Sequence, residues 1–167
     1  MRSVISMKKL QNYRKMLSQQ NWQRDESPLP IAVADWLMHT DSLTLKLQQI
    51  CSNLNVEIIQ QNWQPVGFEQ NLTKTWLREV LLKSNETQWI FAQTLFPEQT
   101  IENVAQEVVN LGNDPIGLWL FPQNPQRVSL EWQQDSETGL YMRRSQLMLK
   151  NYPLEIRELF LEQFPFE

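Results

Sequence analysis

The 167-residue chain contains one cysteine, Cys51, one histidine, His39, and only four glycines. A single thiol excludes an intrachain disulfide, and one thiol with one imidazole cannot build a zinc cluster or a histidine metal triad. So few glycines also leave no room for a Gly-rich phosphate loop. The basic amino-terminal stretch has no apolar run long enough for a signal peptide or a membrane span, so a cytoplasmic protein without stable membrane insertion is expected. Basic residues are neither abundant nor massed: 15 Lys and Arg against 19 Asp and Glu give a net charge of −4. Duplex binding needs a concentrated basic footprint, and no nucleic-acid partner is expected. What the chain does have is apolar material, 41% of residues with seven Trp among them, enough for one domain with a real core.

Residues 1–28 read as a peripheral amino-terminal arm and residues 29–167 as a single domain. Pro30 starts a short helix over Ile31 to Leu37, where its missing N–H is no loss. Thr40 or Asp41 then caps a second helix with an apolar stripe of Leu43, Leu47, Ile50, Cys51 and Leu54. Val56 to Ile59 reads as a first strand, and most of residues 60–74 as a loop. A hairpin follows, Thr75 to Leu82 and Gln88 to Phe96 around a polar turn. A helix from Thr100 to Leu111 ends at Gly112, which can take the left-handed turn. Three more strands are expected over Arg127 to Trp132, Leu140 to Lys150 and Leu154 to Leu161. Hairpin-length links dominate, which predicts an α+β fold with a single, mostly antiparallel sheet of about six strands and helices packed against it.

Strand alternation singles out two charges. One face of the second strand carries Trp76, Arg78, Val80 and Leu82, and one face of the last carries Leu154, Ile156, Glu158 and Phe160. Each places one charge among large apolar side chains, where it must be paired or meet a ligand that pairs with it. Either Arg78 and Glu158 bridge each other across the sheet, or both line a closed pocket, Arg78 gripping a carboxylate and Glu158 a polar group at the ligand's far end. Such a pocket suits a small aromatic or alicyclic acid. Cys51 and His39 read as structural. Arg143 and Arg144 point to opposite faces of a strand, one of them near the pocket or both in solvent or ion pairs, and Glu155 with Arg157 reads as a surface pair.

Several stretches resemble the chorismate pyruvate-lyase family. They are Asp35-Trp36-Leu37 with Asp41-Ser42-Leu43-Thr44, Trp76-Leu77-Arg78-Glu79-Val80-Leu81-Leu82, Leu111-Gly112-Asn113-Asp114-Pro115-Ile116-Gly117, Arg143-Arg144-Ser145 and Glu158-Leu159-Phe160-Leu161. The resemblance runs from about residue 31 to the carboxyl end. It implies a cofactor-free lyase that converts chorismate to 4-hydroxybenzoate and pyruvate, the first committed step of bacterial ubiquinone synthesis. It also implies roles for residues: Arg78 holds the ring carboxylate, Glu158 meets the ring hydroxyl, and backbone amides near Leu43 and Ile116 touch the ligand. The family often has Met at the position of Leu43 and Leu at that of Ile116; both changes conserve volume and leave the backbone donors in place. The expected partners are chorismate and its product alone, with the chain acting as a monomer. An alternative from another class is a non-catalytic small-acid sensing domain of the same fold.

Overall fold

Short polar turns and alternating strands resolve into one sheet in the computed structural model, which describes residues 5–66 and 73–167. The six strands are β1 Leu54–Val66, β2 Thr73–Ser84, β3 Thr87–Pro97, β4 Gln126–Gln134, β5 Tyr141–Leu149 and β6 Tyr152–Phe160. They lie in the order β1-β2-β3-β6-β5-β4, and every neighbouring pair is antiparallel. The helices are α1 Met7–Leu17, α2 Ile31–Leu37, α3 Leu43–Ile50, α4 Glu98–Val104 and α5 Ile116–Leu120, with short 3-10 turns after the last two. The α+β fold with one antiparallel sheet is as the sequence predicts. Among the described residues no helix is long and apolar enough to cross a membrane.

The sheet is covered on both faces. Even-numbered β2 residues, Trp76, Val80 and Leu82, belong to apolar clusters built with the residues of α2 to α5. Odd-numbered Leu81, with Phe91, Met142 and Leu159, packs under α1. Here the structure corrects the reading of residues 1–28 as a peripheral arm. The Ser6 hydroxyl caps α1 by accepting from Lys9 N–H at 3.1 Å, and Leu10, Tyr13, Met16 and Leu17 form its buried stripe. Arg14 on that helix donates from Nε and Nη2 to both oxygens of Glu79, at 3.0 and 2.6 Å, and Glu79 is 0% exposed. Residues 1–4 of the expected arm and residues 67–72 of the expected loop lie outside the described residues.

Four local boundaries differ, each for a physical reason. β1 continues through most of the expected loop because its polar side chains find partners on β2: Gln60 donates to Glu79 at 2.9 Å, and Gln61 accepts from Arg78 at 2.9 Å. The β2–β3 turn is tight, with Ser84 paired to Thr87 and Asn85 at φ 54. The α3 cap is Ser42, whose hydroxyl accepts from Leu45 N–H at 3.3 Å. The helix expected over Thr100 to Leu111 breaks at Ala105, φ −136, into α4 and a 3-10 turn before Gly112 turns at φ 67.

Candidate functional site: a cationic cavity under the sheet

Register brings the site together. Across the sheet, Arg78 faces Thr94, Thr94 faces Ile156, and Ile156 faces Ser145. The next row runs Val80, Ala92, Glu158, Arg143 and Trp132. Ala92 and Thr94 on β3 are small, so the middle of the sheet leaves a floor that larger side chains would fill. Over this floor α3 and α5 cover a small cavity of about 40 Å³, walled by Leu43, Val80, Ile116, Phe121, Leu147 and Ile156 among others. Both residues implied beside the two charges, Leu43 and Ile116, thus line the same space as Arg78 and Glu158. Each is the first residue of its helix, where backbone N–H groups lack an intrahelical partner.

Arg78 is 1% exposed and reaches only neutral oxygens among the described residues. Nη1 donates to Gln61 Oε1 at 2.9 Å and to the Gly112 carbonyl at 2.8 Å, and Nη2 to the Asp114 carbonyl at 2.7 Å. The left-handed turn at Gly112 presents those carbonyls, and Asn113 anchors the turn by donating to the Val56 carbonyl at 3.1 Å. Burial pushes the guanidinium pKa down, and the Asp114 charge offsets part of that. A carboxylate ligand would supply the missing counter-charge through two parallel N–H bonds.

Glu158, 7% exposed, does not bridge to Arg78. The two sit on strands separated by β3, two strand spacings or about 10 Å apart at the backbone. Its partner is Arg143, directly opposite on β5, with Nε 2.9 Å from Oε1. The N–H is not aimed at the oxygen, so the contact is electrostatic more than an aligned hydrogen bond. Arg143 is held by the end of α2, Nη1 donating to the carbonyls of Trp36 and His39 at 3.0 and 3.1 Å. A cation at a helix carboxyl end satisfies carbonyls that the helix itself leaves open. Of the adjacent arginines, Arg143 is therefore the pocket residue, while Arg144 turns outward to Glu131 at 2.7 Å. Glu155 and Arg157 pair with each other near the surface, and Cys51 is buried, its thiol donating to the Ser84 hydroxyl at 2.9 Å.

Arg127 is a cavity residue that the sequence reading missed. A bulge between Arg127 and Ser129 shifts the alternation of β4, so Arg127 lies opposite Leu147 and points inward. Strict alternation would group it with Ser129 and Glu131, a polar face. Outside the cavity lies an open cleft of about 970 Å³ lined by His39, Asp41, Lys46 and Arg127 among others. Gly117, Phe121, Arg127 and Leu147 border both spaces. Burial, then the Lys46 and Arg143 charges, hold His39 below its ordinary pKa of 6.5. Among the described residues no group of three His, Cys, Asp or Glu could hold a metal ion.

A single antiparallel sheet whose helices close an apolar cavity lined by three guanidinium groups and one carboxylate defines a small α+β protein whose cavity is chemically suited to an anionic small molecule. The sequence profile described as chorismate lyase matches residues 16–166, and the chain belongs to that family. It is 36% identical over 146 residues to the chorismate pyruvate-lyase of Pectobacterium carotovorum, covering 83% of this chain and 82% of that one. The chorismate pyruvate-lyase of Erwinia tasmaniensis is 33% identical over 159 residues, 90% of each chain. Among solved structures, the ligand-binding domain of a GntR-family transcriptional regulator from Bordetella bronchiseptica aligns over 67% of this chain and 86% of that one, at 12% identity and a TM-score of 0.47.

Proposed function

We propose that this chain is a cytoplasmic, cofactor-free chorismate lyase that forms 4-hydroxybenzoate and pyruvate at the first committed step of ubiquinone synthesis, acting as a single chain. The observation that carries the reading is Arg78, a buried cation without a carboxylate partner among the described residues, in one apolar cavity with Glu158. Arg78 grips the ring carboxylate. The free side of Glu158 meets the ring hydroxyl, and the first amides of α3 and α5, at Leu43 and Ile116, donate to the ligand.

In the reaction the bond between the ring and the enol ether oxygen breaks. The electron pair of the C–H bond at the hydroxyl-bearing carbon forms the new ring double bond, and that hydrogen is delivered to the methylene of the departing enolpyruvate, giving pyruvate. Nothing is oxidised or reduced overall, and aromatisation supplies the driving force. The protein's part is to hold one reactive conformer in a dry, apolar site, a contribution on the order of 7–11 kcal/mol when orientation is complete. Arg143 balances Glu158, which suits Glu158 to orienting the hydroxyl by accepting its hydrogen bond while hydrogen transfer proceeds within the substrate.

The test is to mix purified protein with chorismate and follow pyruvate with a coupled dehydrogenase. Steady pyruvate formation supports the lyase; binding of 4-hydroxybenzoate with no pyruvate would select the sensing-domain reading instead.

A further inference from the structure

The cavity holds one more cation than the ring acid uses. Four charged side chains line it: Arg78, Arg127, Arg143 and Glu158. Arg143 and Glu158 stand 2.9 Å apart and compensate each other, and Arg78 is matched to the ring carboxylate. Arg127 remains. Its Nη1 donates to the Ser145 hydroxyl at 2.6 Å and its Nη2 to the Thr40 carbonyl at 3.1 Å, both neutral acceptors. Its Nε is buried and has no hydrogen-bond partner among the described residues. A buried, unanswered N–H on a cation is costly unless a ligand answers it.

The surroundings of Arg127 say which part of a ligand it meets. The charges it feels are those of Arg143, Glu158 and Asp41, whereas Arg78 feels Asp114. Arg127 therefore works at the Glu158 end of the cavity and Arg78 at the other. With the chorismate carboxylate at Arg78 and its hydroxyl at Glu158, the ring carbon beside the hydroxyl carries the enol ether, whose three-carbon acid is the second anionic group. We propose that Arg127 receives the carboxylate of this leaving group. The inference rests on the lyase reading and deepens it: Arg127 recognises substrate and takes no part in holding 4-hydroxybenzoate, which has lost that carboxylate. Since Arg127 borders the open cleft as well, the released pyruvate has an exit on the same side. Burial, and next the Arg143 charge, push its pKa down to about 10, so it is still a cation at neutral pH and gains from a second anion.

The experiment compares wild type, Arg127→Gln and Arg127→Lys in two assays: pyruvate formation from chorismate, and calorimetric binding of 4-hydroxybenzoate. The Gln variant should lose on the order of ten- to hundredfold in kcat/KM while 4-hydroxybenzoate affinity stays within about twofold of wild type. The Lys variant should recover part of the loss, since it keeps the charge without the fork. Unchanged kcat/KM in the Gln variant would overturn the proposal, as would an equal loss in both assays, which marks a structural role. If the Gln variant does not fold, the Lys variant decides by the same split between substrate turnover and product binding. Wild-type protein that makes no pyruvate overturns the lyase reading and this inference with it, and is told apart because the unaltered chain is what fails.

Discussion

Arg78 is a side chain that the fold holds firmly and yet leaves without a counter-charge in hydrogen-bond contact among the described residues. Its donors are answered by one side-chain amide and two carbonyls, which position the guanidinium without neutralising it. Arg78→Ala should weaken 4-hydroxybenzoate binding by roughly 1.5–3 kcal/mol, at least tenfold, because the ligand carboxylate would be buried without its charged partner. Calorimetry measures this directly, and near-wild-type affinity would contradict the assignment. His39 makes a pH prediction. Its folded pKa lies below 6.5, so the unfolded chain binds the proton first as pH falls. The stability in question is present above pH 6.5 and is lost as pH drops through the lower folded value. Melting temperature followed from pH 7 to pH 5 should fall less steeply in His39→Gln than in wild type. Arg78 and Glu158 were legible in the sequence because each interrupts an apolar face of a regular strand. Arg127 was not, because the bulge after it reverses which residues face inward. For Arg143 the sequence showed two adjacent arginines on opposite faces, but only the packing of α2 over β5 decides which one is enclosed.

At the level of elements, the site depends on how closely α5 approaches α3. A Cβ at Gly117 would meet Thr44 Oγ1 at 2.6 Å and Ser42 Oγ at 3.3 Å, so the two helix starts close over the cavity only because that side chain is absent. Gly117→Ala should force them apart, destabilise the protein by roughly 1–3 kcal/mol and weaken 4-hydroxybenzoate binding. Denaturant unfolding and calorimetry would test both parts, and a variant unchanged in each would show that the walls yield easily. Strand positions were largely readable from period-two patterns and turn residues. The second half of β1 is rich in Gln and Asn and so lacks a strand pattern in sequence; Gln60 and Gln61 find charged partners on β2, while Asn62 and Gln64 bond to neighbouring amides along β1 itself. The α1 stripe was hidden among Lys8, Lys9, Arg14 and Lys15, and the surface that receives it is assembled from β2, β3, β5 and β6.

The whole molecule is a sheet with two different faces. One face holds the cavity and the cations. The other holds Glu79, 0% exposed, whose charge is met by Arg14 and whose oxygens also accept from Gln60 and Gln93. Removing residues 1–18 would uncover Leu81, Phe91, Met142 and Leu159 and leave Glu79 without its cation. Breaking a buried charge pair alone costs about 3–5 kcal/mol, so the truncated chain should lose cooperative unfolding or aggregate. Thermal denaturation monitored by circular dichroism would check this, and a cooperative melt near the wild-type temperature would return α1 to the status of an appendage. The scarcity of Cys, His and Gly has a counterpart in the cavity, whose lining is guanidinium groups, one carboxylate and apolar walls. The most direct test is the stoichiometry of products from chorismate with chelator-treated, cofactor-free protein. One pyruvate for each 4-hydroxybenzoate, abolished or strongly reduced in Arg78→Ala, is the predicted result; no pyruvate from protein that still binds 4-hydroxybenzoate would contradict it.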